Sequence, residues 1–142
     1  ASFRVKVLPM EIGARRPLGV GVSGLVLLAS LPAEEAAEVV RRNARRLQTL
    51  HIEPAELLER AVQARMEGYG DAPVRVVPGS RAVAGPVCLP HGRTVAGLAI
   101  ATITERLPDA RVGSVVEQMQ ERARLIGAQA AELVRRKSAR RT

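Results

Sequence analysis

GSRAVAGPVCLPHGRTVAGLAIATITE, residues Gly79 to Glu105, decides how the rest of the chain is read. Two apolar runs, Ala82 to Leu89 and Thr94 to Thr104, flank the turn residues Pro90, His91 and Gly92, which is the pattern of a β-hairpin. With a period of two, Ala82, Ala84 and Pro86 share one face of the first strand. Val95, Gly97, Ala99, Ala101 and Ile103 share one face of the second. Faces built of alanine and glycine fill little space, so either a closely packed helix or a bound small molecule occupies what they leave. Pro86 cannot donate to a ladder and marks an edge or a bulge.

Downstream, Leu107 and Pro108 close the sheet and a long helix is predicted from Asp109 to Lys137. Val112, Val115, Val116, Met119, Ala123, Ile126, Ala130, Leu133 and Val134 recur every three or four residues, a stripe that covers the sheet or a partner. Gly127 costs that helix about 1 kcal/mol relative to alanine, which points to a close backbone approach there.

Upstream, Tyr69 to Pro78 reads as a linker with an extended piece at Val74 to Val77. Pro54 and Gly68 bracket a helix whose inward residues are Leu57, Leu58, Ala61, Val62 and Met66. Pro32 fits the first position of the preceding helix, with Glu34 and Glu35 at its positive end and Val39, Val40, Ala44 and Leu47 as its stripe up to a break near His51. At the start of the chain Phe3, Val5 and Val7 alternate with Arg4 and Lys6 as in a half-exposed strand.

Between these lies LGVGVSGLVLLASLP, in which Gly19, Gly21 and Gly24 satisfy the spacing of a dinucleotide fingerprint. The context excludes it: no buried strand precedes, the helix has barely two turns before Pro32, and no acid closes a second strand. Ser23 is no nucleophile elbow, because Leu25 stands where the closing glycine belongs. Two readings remain open: unpaired N–H groups at the start of a short helix suited to a small anion, or glycines that only permit close packing.

Composition limits the function classes. The 142 residues suit one domain that buries roughly two thirds of its unfolded surface. Cys88 is the single cysteine, and His51 and His91 have no partners at ligand spacing, so neither a disulfide nor a metal site is expected. No apolar run is long enough to span a membrane, and a soluble protein of a reducing, cytoplasmic compartment fits. The net charge of +8 is concentrated in Arg15, Arg16, Arg41, Arg42, Arg45 and Arg46 and in the last eight residues. With one tyrosine and one phenylalanine there are no stacking platforms for bases, and a solvated arginine-rich surface is expected in preference to nucleic-acid contact. Nothing pairs a nucleophile with a base, so no catalytic residue is expected.

The order strand, glycine loop with short helix, two helices, hairpin, long helix makes an α/β chain of the α+β type, an antiparallel sheet flanked by helices. RRPLGVGVSGLVLLASLP, the helix ending at MEGYG, and SRAVAGPVCLPHGRTVAGLAIATITERL together resemble the effector-binding domain of the IclR family of bacterial transcriptional regulators. The resemblance runs from Val5 to Val134 and implies a GAF-like fold. It also implies a winged helix-turn-helix domain that contacts DNA, absent here, and an N-terminally truncated sensor domain.

The same resemblance implies a small-molecule effector held between the glycine loop and the hairpin face, with no cofactor, in a homodimer or homotetramer. By matching position Gly21, Val22, Ser23 and Gly24 supply loop contacts, Ala72 falls where an acid can stand, and Ala82, Ala99 and Ala101 line the sheet side. Relatives that bind small carboxylates can carry polar groups at positions that are alanine here, leaving Ser23, Ser80, Asp71 and backbone N–H groups as polar candidates. A larger, more apolar pocket and an aromatic or otherwise bulky acid are therefore expected. The alternatives are a dimerisation module with a vestigial pocket and an autonomous basic nucleic-acid binder.

Overall fold

A computed structural model describes residues 12–73 and 79–140. The strand expected at Phe3 to Val7 and the extended piece at Val74 to Val77 lie outside the described residues.

Three antiparallel strands, β1 (Gly70–Pro73), β2 (Ser80–Cys88) and β3 (Thr94–Ile103), form a sheet in the order β1-β2-β3. The hairpin register sets Ala82 against Ala101, Ala84 against Ala99 and Pro86 against Gly97, so the two small-residue sets share one face. Pro86 lies two residues past Ala84, the last β2 residue that β1 pairs, and a bulge follows between Val87 and Cys88. Gly92 closes the turn at φ 88°, donating its N–H to the Leu89 carbonyl at 2.8 Å.

Helix α1 (Gly21–Ala29) packs on the alanine face, where Val22 and Val26 bury Ala82 and Ala84. The opposite face carries α5 (Asp109–Ala139), whose Val112, Val116 and Met119 enclose Val83 and Leu107. Behind α1 stand α2 (Ala33–Arg42), α3 (Ala44–Thr49) and α4 (Pro54–Glu67) around a core of Leu25, Leu28, Val40, Leu47 and Leu57. Arg65 of α4 ties that layer to α1 by donating to the Ala29 carbonyl at 2.7 Å and to the Leu31 carbonyl, satisfying acceptors at a helix end.

Several expectations need correction. The helix expected from Pro32 to near His51 breaks at Asn43 into α2 and α3, with Pro32 just before the first turn. Asn43 turns its own amide onto the Val39 carbonyl at 2.9 Å, which local apolar spacing does not reveal. In α4 the buried positions are Leu57, Ala61 and Ala64, while Val62 and Met66 face solvent at 58% and 82% exposure, because α1 approaches along the alanine side. The stretch read as a linker contains β1, stabilised by pairing with β2 and not by strand-forming side chains. Only the first half of the α5 stripe covers the sheet: Ile126, Leu133 and Val134 are exposed.

Candidate functional site

The glycine loop is fixed before the helix starts. The Val20 N–H donates to the Pro17 carbonyl and the Gly19 N–H to the Gly24 carbonyl, both at 3.1 Å, folding the loop back over α1. Gly19 sits at φ 97° where a Cβ would come 2.8 Å from the Leu57 side chain, and a Cβ on Gly24 would meet the Gly19 nitrogen at 3.2 Å. Close packing therefore accounts for these two glycines. Gly21 differs: it opens α1 at φ 74°, is exposed, and has open space around its Cα. Among the described residues no side chain caps α1, and its first turn carries no acid to offset the positive end of the helix.

That end lies on β3. A Cβ on Gly97 would come 3.2 Å from Ser23 Cβ and 3.3 Å from the Ser23 carbonyl oxygen, so the absence of a side chain at Gly97 lets the first turn of α1 rest on the strand. Further along the same face of β3 stand Ala99 and Ala101, both exposed. Ser80, buried, pairs with Ile103 at the far end. The alanine face is thus divided: α1 covers Ala82 and Ala84 of β2 and rests on Gly97 of β3, and leaves Ala99 and Ala101 open.

Of the four loop residues the structure sets Ser23 on Gly97 and Val22 over Ala82 and Ala84, beside the open Ala99 and Ala101, while Gly24 packs on Gly19 and Gly21 opens the helix in free space. Ala82 borders the open pair but is buried by α1, and Ala72 pairs with Ala82 one strand further away. Asp71 is not brought to the group. It pairs with Val83, on the α5 side of the sheet, and accepts from Arg81 Nε at 3.0 Å and Nη2 at 2.6 Å. Arg81 also reaches Asp109 at 2.6 Å and the Leu107 carbonyl at 3.1 Å. Hydrogen bonds to Asp71 and then Asp109 raise the Arg81 pKa, so this clamp joins β1, β2 and the start of α5 as a permanent charge. Sequence reasoning missed it, because three charges 10 and 28 residues apart leave no local signal.

A separate cleft of about 300 Å³ opens between α4 and β1, lined by Leu25, Arg60, Gln63, Glu67, Tyr69 and Asp71. Its acids outnumber its cations, and Asp71 is held by Arg81, so it is less suited to an anion than the start of α1. No group of His, Cys, Asp and Glu among the described residues has the arrangement of a metal centre. Cys88 is half-buried, with Sγ 3.4 Å from Thr94 Oγ1.

Comparison with known proteins places this geometry in context. The family model for the bacterial transcriptional regulator IclR C-terminal region matches residues 4–128. The HTH-type transcriptional regulator KdgR of Dickeya chrysanthemi is 32% identical over 121 residues, which is 84% of this chain and 40% of that protein. The chain thus spans less than half that regulator's length. Among solved structures, the C-terminal domain of the E. coli transcriptional regulator KdgR is 29% identical with a TM-score of 0.69, covering 84% of this chain and 74% of that one. A double mutant of the PobR inducer-binding domain from Acinetobacter, solved with 3-hydroxybenzoic acid, is 22% identical with a TM-score of 0.70, covering 90% and 75%. At that identity the second likeness is one of fold.

Proposed function

The chain belongs to the IclR family of bacterial transcriptional regulators, in its C-terminal region, and from that premise we propose that it senses a small organic acid and holds the regulator's subunits together. This is a family of transcriptional regulators and not of enzymes. The observation that carries the reading is the divided alanine face: an open, small-residue floor at Ala99 and Ala101 beside the uncompensated start of α1. A carboxylate is held by the N–H groups of Gly21, Val22 and Ser23, which precede the first intrahelical bond, and its body lies on the floor. Two exposed methyl groups suit a flat apolar body better than a two- or three-carbon chain, and 3-hydroxybenzoic acid in the PobR domain is an acid of that kind.

The signal then passes through the sheet. α1 and α5 grip opposite faces of it, and α5 runs on with Leu125, Ile126, Leu133 and Val134 uncovered. We place the subunit contact on that bare half, so that a shift of the sheet on binding moves one protomer against the other and resets DNA-reading domains outside this chain. Cytoplasmic location belongs to the same proposal; no described helix is long and apolar enough to cross a membrane.

One observation favours a second reading. α1 already fills half the face, as it would in a dimerisation module with a vestigial pocket. A thermal-shift panel of benzoate, 3-hydroxybenzoate, pyruvate, glyoxylate and a sugar acid, followed by calorimetry, separates the two. A sensor gains about 2.7 kcal/mol at a hundredfold excess of ligand over Kd, a shift of several degrees. The aromatic acids are expected to give it, and Ala99→Phe to abolish it in a folded chain. An intact oligomer that binds nothing on the panel would leave the vestigial reading standing.

A further inference from the structure

Four arginines fall within six residues, Arg41, Arg42, Arg45 and Arg46, across the join between α2 and α3. One pair ends α2 and the other lies in the first turn of α3, and all four are exposed, while Ala36, Val40 and Leu47 of the same two helices are buried. Arg41 and Arg42 both hydrogen-bond Glu38, at 2.7 to 2.9 Å, so one carboxylate is shared between two guanidiniums. Among the described residues neither the Arg45 nor the Arg46 guanidinium has a hydrogen bond or ion pair. Four cations against one anion leave a local charge of +3.

This stripe contributes nothing evident to the fold, unlike Arg65, which closes the end of α1, or Arg81, which clamps β1 to α5. Glu34 and Glu35 sit in the first turn of α2, at the end of that helix away from the arginines, and among the described residues make no ion pair with them. Asn43 and Ala44, half-buried between the two pairs, offer no apolar anchor of the kind a protein interface uses. A partner that meets this face is recognised by charge alone, and guanidinium forks match phosphate oxygens.

We propose that the Arg41–Arg46 face contacts the phosphate backbone of duplex DNA, adding sequence-independent affinity to the regulator. The inference rests on the regulator reading above, which brings DNA to the assembly. It departs from the solvated surface expected from the sequence, and it invokes phosphate contacts alone, for which the stacking residues this chain lacks are not required.

The test is fluorescence anisotropy of a labelled 30-bp duplex of arbitrary sequence, titrated with the full 142-residue chain between 50 and 200 mM KCl. Each neutralised phosphate contributes about −0.9 to the slope of log affinity against log salt, so two to four contacts give roughly −2 to −4. Changing all four arginines to glutamine removes that part of the slope and weakens binding at least about tenfold at the lowest salt. Glu38→Gln, which releases Arg41 and Arg42, steepens the slope by up to about 0.9 for each added contact. Binding unchanged in the fourfold variant, no binding at 50 mM KCl, or equal competition by polyglutamate would overturn the proposal, the last in favour of an acidic protein. The thermal shift with effector, measured on the same variant, is expected to persist. Loss of DNA binding with a retained shift separates this face from the sensing site, and a missing shift in the parent chain bears on the sensor reading alone.

Discussion

Gly97 shows how one absent side chain positions the site. Ser23 backbone and Cβ lie within van der Waals distance of where its Cβ would be, so Gly97→Val pushes the first turn of α1 off β3. Overpacking of this kind costs about 1–3 kcal/mol, read as a lower urea midpoint, and at the proposed site effector affinity is expected to fall with it, because the first turn of α1 is displaced from β3. Arg81 acts on the other side of the sheet. It is 18% exposed and bridges Asp71 and Asp109, so Arg81→Met strands a partly buried carboxylate at Asp71 and is expected to cost about 1–3 kcal/mol. Asp109, 95% exposed, loses little, so Asp109→Asn should be far milder than Asp71→Asn in the same denaturation experiment.

Elements differ in how openly the sequence announces them. α4 is legible at both ends, since Pro54 opens it and Gly68 closes it in the left-handed region at φ 79°, both local requirements. The hairpin faces are legible for the same reason, because alternation is a property of the strand alone. β1 is not, because Gly70 is chosen for closeness: a Cβ there would come 3.1 Å from Val26, a neighbour 44 positions away. In α5 two glycines of the same helix make opposite predictions. Gly113 has open space, so Gly113→Ala is expected to stabilise by up to about 1 kcal/mol, as helix propensity alone implies. At Gly127 any Cβ would overlap the Cys88 carbonyl, so the close approach expected from the sequence is present and Gly127→Ala should destabilise. Thermal unfolding of both variants checks the difference in sign.

For the whole molecule, the fold class and the residues of the small-residue face were readable from spacing, whereas the way α1 divides that face was not. Whether Val22 and Val26 lie over Ala82 and Ala84 or over Ala99 and Ala101 depends on how a helix docks across two strands, and no local pattern encodes it. The charge of Asp71, nominally available to a ligand, is likewise taken by a partner ten residues on. α5 is 31 residues, about 46 Å, and in its second half Leu133 and Val134 are 66% and 60% exposed. If that half joins subunits, Leu133→Glu shifts the chain to monomer in light scattering, while a folded core retains its circular dichroism; an unchanged mass would move the interface elsewhere.

The central claim is the location of the effector, and alanine-methyl NMR spectra of the labelled chain, titrated with 3-hydroxybenzoate, test it most directly. Binding at the open half of the face perturbs the methyls of Ala99 and Ala101 first, with smaller shifts at the buried Ala82 and Ala84 and none at Ala64 beside the α4–β1 cleft. Saturable shifts centred on Ala64, with Ala99 and Ala101 unmoved, would contradict it.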